Sequence, residues 1–287
     1  MIKLGILHMI KHLFFYSVIF ISISCTTPYT HLKGAPGTDY FKPEFDCNKG
    51  LLRKEKDLGY QLIREHYRSI MLAKPVPENP FMVIAGESTA ALFSEEIYKS
   101  ELAEFPTVNR AIGGETTGLF LSTMDADIIS LKPKVVFLSI GGNDILDGRC
   151  ISKIKENMQL ILLKFKTQLP ETRILLAGVP PVRSWKVNSV TPYFNDLLRN
   201  LAAQSGPNSN IEYFDLWPIL ADPDRPMLDN RFMVPITKQA NLFQRLTGNE
   251  QTDEYDLIHF NQDGYREIAR NLKPILQKIR DQNQNKK

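Results

Sequence analysis

Hydrophobic positions in this chain follow two periods. Across residues 51–72, Leu52, Leu58, Leu62, Ile63, Tyr67, Ile70 and Met71 recur near helical spacing, which predicts an amphipathic helix that stops before Pro75, Pro77 and Pro80. Five short, mostly apolar runs follow at 81–85, 107–112, 135–140, 173–179 and 211–216, the pattern of strands buried on both faces. Between them, and after them, helical periods cover 89–101, 117–130, 151–169, 193–203 and 263–280. Strand and helix alternate, so the expected sheet is parallel. Right-handed crossovers then put helices on both of its faces, giving an α/β fold, a three-layer α/β/α sandwich around a five-stranded sheet.

Two stretches break the alternation. Residues 217–256 form a long connection holding Pro218, Pro223, Pro226 and Pro235 among Met227, Phe232, Met233 and Phe243, and are read as a lid or wall of a substrate site. At the other end, residues 1–24 combine a basic start with an apolar run from Leu13 to Ile21 and small polar residues before Cys25. That is the layout of an export signal, and the run is shorter than the ~20 apolar residues a bilayer span needs. Ser22-Ile23-Ser24-Cys25 is similar to a bacterial lipobox, with Ser22 in place of the usual Leu, so the expected mature N-terminus is a lipidated Cys25, with plain secretion as the alternative. Residues 25–50 read as a tether rich in Pro, Gly and Thr, and 51–287 as the folded domain with its N-terminal helix.

Composition narrows the partners. The formal charge of +3 becomes +1 once Lys3 and Lys11 leave with the signal, and no run of Lys and Arg with interleaved aromatics remains, so a nucleic-acid partner is not expected. Cys47 and Cys150 either pair in an oxidising compartment or stay as two thiols, one of them buried; both readings are open at this level. Neither belongs to a metal-binding spacing, so no metal and no cofactor are expected.

Four short blocks carry the candidate chemistry: Gly86-Glu87-Ser88, Asn109 to Gly114, Gly141-Gly142-Asn143-Asp144, and Asp256-Leu257-Ile258-His259. Ser88 falls at a strand-to-helix turn, where a serine is either a helix cap or an exposed nucleophile. Gly113 and Gly114 fit a turn, and a glycine also lets backbone N–H approach a reacting carbonyl closely. Asn143 suits a strand-ending turn or an oxyanion donor. Of five histidines, His8 and His12 precede Cys25, His31 lies in the tether and His66 on the first helix, which leaves His259 as a general base with Asp256 three residues before it. Asp144 is read as supporting its loop.

Taken together and in this order, the blocks resemble those of the SGNH hydrolases, the GDSL esterase/lipase family, over about residues 81 to 280. The resemblance implies a flavodoxin-like strand order, a catalytic set of Ser88, Asp256 and His259, and an oxyanion hole from Ser88, Gly114 and Asn143. Glu87 and Thr89 stand where the family usually has Asp and Leu; neither position is needed for the proton transfers. The implied activity is hydrolysis of carboxylic esters through an acyl-enzyme, on an acetylated glycan, a lysophospholipid or a short acyl ester. Two rivals remain at this level: an envelope acyltransferase using the same acyl-enzyme, and a non-enzymatic surface lipoprotein that keeps the fold.

Overall fold

The computed structural model describes residues 47–206, 209–237 and 253–284. The chain enters through two helices, α1 (Arg53–Lys56) and α2 (Leu58–Ala73). The single helix expected over 51–72 is interrupted because Asp57 caps α2, its carboxylate accepting the Tyr60 N–H at 2.9 Å. The apolar stripe of α2 faces outward. Leu58, Leu62, Ile63, Tyr67 and Ile70 point outward, between 47% and 72% exposed, whereas Arg64 is buried at 4%. Arg64 grips Glu115 with two hydrogen bonds, Nε at 2.8 Å and Nη2 at 2.6 Å, and Arg68 grips Asp127. Charge pairing seats this helix on the domain, so its apolar period marks the face turned away.

Five strands follow: β1 (Met82–Gly86), β2 (Thr107–Asn109), β3 (Val135–Ser139), β4 (Arg173–Ala177) and β5 (Ile211–Phe214). All pairings are parallel, in the order β2-β1-β3-β4-β5. Both β1 and β3 are buried along their whole length, as continuous apolar runs in a covered parallel sheet require. Neighbouring residues serve opposite faces. Ile84, Phe137 and Leu175 join a core with Phe93, Phe105, Tyr265, Leu272 and Leu276, while Val83, Val136 and Leu176 join a second with Met124, Met158, Ile161, Phe165 and Phe194. The sandwich has the three layers expected.

The crossover segments are α3 (Ser88–Ala91), α4 (Glu95–Glu101), α5 (Thr117–Asp127), α6 (Gly142–Leu146), α7 (Ile151–Gln168), α8 (Trp185–Asn188), α9 (Thr191–Gln204) and α10 (Trp217–Leu220), and α11 (Gln262–Gln284) closes the described chain. One helix was expected over 89–101. Two form, because Ser94 caps α4 by accepting the Ile97 N–H. Residues 217–256 hold more structure than a loop: α10, a 3-10 turn at Asn230–Phe232, and an antiparallel ribbon of β6 (Met233–Thr237) with β7 (Asp253–Phe260). Proline at 235 hid β6 from a periodicity reading.

Cys47 and Cys150 are joined as a disulfide with Cα atoms 4.9 Å apart, which settles the open pairing. The expected signal at 1–24, Cys25, the expected tether as far as 46, and residues 238–252 of the expected lid lie outside the described residues. Among the described residues, no helix is long and apolar enough to cross a membrane.

Candidate active site

The first, second and third blocks sit at the carboxyl ends of β1, β2 and β3, where an open parallel sheet binds its ligands. At the end of β1, Gly86 has φ 125°, and a Cβ there would fall 1.8 Å from the Ser139 carbonyl oxygen of β3. Only glycine passes. The next amide, Glu87 N–H, donates to that carbonyl at 2.9 Å, and Ser88 then opens α3.

His259 comes to Ser88 from 171 residues away, carried on β7. Its Nε2 lies 2.9 Å from Ser88 Oγ, and its Nδ1 lies 2.8 Å from Asp256 Oδ2. Asp256 also accepts the amide N–H groups of Ile258 (2.7 Å) and His259 (2.9 Å) through Oδ1. Burial works against charge on Asp256, but the bonds from the His259 amide, the His259 ring and the Ile258 amide outweigh it and hold the carboxyl below the ordinary aspartate value. Asp256 is therefore ionised at neutral pH, and a carboxylate on Nδ1 favours the tautomer whose Nε2 is free to accept a proton. The strand is fixed from both sides. Arg183 and Ser184 donate their amides to Leu257 O at 2.9 and 3.0 Å, while buried Tyr265 stacks on Phe260 at 4.3 Å and donates its hydroxyl to Thr89 O at 2.9 Å.

Asn143, in the first turn of α6, lines the same cleft as Ser88. Its side-chain Nδ2 and its backbone N–H both donate to Glu87 Oε2, at 3.0 and 2.8 Å, and Gly142 N–H donates to Oε1 at 3.1 Å. Burial, assisted by Asp144, pushes the Glu87 carboxyl up to about 7 against those hydrogen bonds. Sequence reasoning set Glu87 aside because it moves no proton. Its part is structural, tying the Ser88 turn to the Asn143 turn, and the available signal was a carboxylate one residue before a turn serine with two Gly-Asn amides to satisfy. Asp144, fully buried, accepts both the amide and the hydroxyl of Thr117 and so anchors the start of α5, the supporting part expected of it.

Gly114 lies on the β2–α5 loop beside the end of β1, to which Ile112 N–H bonds through Gly86 O at 2.9 Å. Its φ is 76°, a left-handed backbone shape that favours glycine, and a Cβ there would sit 2.3 Å from the Tyr60 hydroxyl and push that side chain aside. Asn109 opens the second block and is structural: Nδ2 donates to Ala90 O and Phe93 O at the end of α3, and Oδ1 accepts the Ala111 amide.

The cleft beside Ser88 is shallow and small, with an apolar wall of Leu146, Val179, Pro180, Val182, Val187 and Ile258. A larger depression of about 520 Å³ lies at the opposite end of the sheet, near Lys132 and Glu171, and contains none of the motif residues. Aligned polar groups, and not size, mark the site. Among the described residues, no group of three or more His, Cys, Asp or Glu side chains could hold a metal ion.

Residues 85–267 match the model of the GDSL-like lipase/acylhydrolase family. Solved structures with the same fold include a candidate platelet activating factor from Streptococcus pneumonia (TM-score 0.59, 22% identity, covering 75% of this chain and 92% of that one). Others are a candidate acylhydrolase from Bacteroides fragilis (0.55, 17%, 75% and 95%) and a GDSL-like lipase from Bacteroides thetaiotaomicron (0.55, 16%, 75% and 97%). No curated protein matches the chain. With four blocks gathered at one end of a 2-1-3-4-5 parallel sheet and a family match running through all of them, the chain belongs to the GDSL (SGNH) lipase/acylhydrolase family and is a carboxylic ester hydrolase.

Proposed function

We propose that the protein is a serine esterase that works through an acyl-enzyme on Ser88. The observation that carries this reading is the continuous line from Ser88 Oγ to His259 Nε2 and from His259 Nδ1 to Asp256, at 2.9 and 2.8 Å. His259 takes the Ser88 proton as Oγ bonds to the ester carbonyl carbon. Asp256 stabilises the imidazolium, and the backbone N–H groups of Ser88 and Gly114 with the side-chain amide of Asn143 receive the oxyanion. The intermediate collapses as His259 gives its proton to the departing alcohol. Water, activated by the same imidazole, then releases the acid and restores Ser88.

The small apolar cleft supports a short acyl group, such as an acetyl ester on a glycan or a short-chain lipid ester. For location we propose an exported protein anchored by lipid on Cys25. The N-terminal sequence supports this, as does a disulfide, which persists in oxidising compartments. The outward apolar face of α2 adds support, since a bilayer surface reached through the tether would cover it.

Labelling with a fluorophosphonate, followed by a panel of esters of increasing acyl length, tests the reaction. The expected result is labelling and turnover in the full chain, with both lost in a folded Ser88→Ala variant. Turnover retained by that variant sinks the serine mechanism. An acyl group recovered on an added sugar instead of in free acid makes the protein a transferase.

A further inference from the structure

We propose that Lys54, on α1, is a positioning residue that fixes the side-chain amide of Asn143 in its oxyanion-binding orientation. The inference rests on the reading of Asn143 as an oxyanion donor.

A primary amide presents nearly the same shape when its oxygen and nitrogen exchange places, so its orientation is set by its partners. Asn143 has one partner of each kind. The Glu87 carboxylate, which accepts when ionised, takes one Nδ2 proton at 3.0 Å, and the Lys54 ammonium, which only donates, gives a proton to Oδ1 at 3.1 Å. A flip would set acceptor against acceptor and donor against donor. Held from both ends, the amide keeps its second Nδ2 proton for the cleft it shares with Ser88. A cation on Oδ1 also polarises the amide and strengthens its N–H as a donor.

Lys54 is itself held. Its Nζ lies 3.2 Å from Asp147 Oδ2, with both side chains about one-quarter exposed (26% and 25%). Its neighbours fasten α1 to the two loops that carry Asn143 and Gly114. Glu55 pairs with Arg149 and accepts the Thr116 hydroxyl at 2.8 Å, and Asn48 exchanges backbone hydrogen bonds with Gly148 and Cys150 at 3.0 Å beside the Cys47–Cys150 bridge. All of these N-terminal residues precede the stretch 85–267 matched by the family, so Lys54 completes the site from outside it.

The test is a double-mutant cycle in the full chain, with steady-state kinetics on a soluble short-acyl ester. Removing an oxyanion donor outright costs about 10²–10³ in turnover, and a donor left in place but free to turn costs less, so Lys54→Met should lower kcat about 10-fold and change KM by less than about twofold. Lys54→Arg, which can still donate to Oδ1, should recover most of the loss. In an Asn143→Ala background, Lys54→Met should cost nothing further, because the group it positions is gone. Thermal melts and Lys54→Gln guard against a folding defect in the first variant. Additive losses in the double mutant, an effect confined to KM, or an unchanged kcat in both folded Lys54 variants overturns the proposal while leaving Asn143 as a donor. If Asn143→Ala is itself silent, the oxyanion reading fails and takes this inference with it.

Discussion

Asp256 is one of three carboxylates within seven residues before and including His259, with Asp253 and Glu254 the others. Asp256 is bonded to Nδ1 at 2.8 Å, so Asp256→Asn should cut turnover by about 10²-fold or more, through loss of the tautomer and of the imidazolium's counter-charge. Asp253→Asn and Glu254→Gln should change kcat by less than about threefold, and a severe effect at either would reassign the orienter. Glu87 makes a different prediction, in stability. Its folded carboxyl is raised from 4.5 to about 7, so between those pH values the folded state holds a proton that the unfolded chain has released. Stability should therefore fall as pH rises from 4.5 to 7, by up to about 1.4 kcal/mol per pH unit for each extra proton held. Asp144, raised by burial from 3.8 to about 6, adds to the slope in the lower part of that window. Urea melts at pH 5 and pH 7.5 check the sign: a protein steadily more stable at the higher pH contradicts it. At this scale the blocks naming Ser88, Gly114, Asn143, Asp256 and His259 were legible, because each is a short run with its own backbone demand. Glu87 and Lys54 were not, since their partners lie 56 and 89 positions away.

The five strands and most of the helices were legible from period alone, to within a few residues, because a covered parallel sheet forces continuous apolar runs. On α2 the same reasoning found a helix with an apolar stripe and left open what that stripe meets. Periodicity reports that a stripe exists and says nothing about which neighbour meets it, and here Arg64 and Arg68 find buried acceptors on α5 and its approach loop. The energetic consequence can be measured. Leu62, 64% exposed, should accept Gln at a cost within about 0.5 kcal/mol. Arg64→Ala leaves the Glu115 carboxylate, only 2% exposed, without its cation and should cost about 3–5 kcal/mol. Chemical denaturation of the two variants compares them directly, and a Leu62 variant the more destabilised of the pair would mean that the outward stripe is packed in solution, for example against a second copy.

On the scale of the molecule, the N-terminal segment is a strap laid across the end of the sheet where the site lies. The disulfide closes a separation of 103 residues between Cys47 and Cys150, and removing such a link costs about 2–5 kcal/mol. Its loss should fall unevenly, because the two buried cores draw on the sheet and its crossover helices, with Leu52 the fully buried side chain of the strap's start. What the bridge holds directly is the backbone pairing of Asn48 with Arg149 and, through it, α1 with Lys54. A Cys47→Ser, Cys150→Ser double variant should therefore melt lower by about 5–15 °C, expose the segment between residues 48 and 80 to protease, and lose kcat to about the extent of Lys54→Met, with Ser88 still labelled by fluorophosphonate. Adding Lys54→Met to that double variant separates local from global effects. If the bridge acts on catalysis by holding α1, the added substitution brings little further loss; if the bridge serves stability alone, turnover below the melting transition stays near that of the parent and Lys54→Met keeps its full effect.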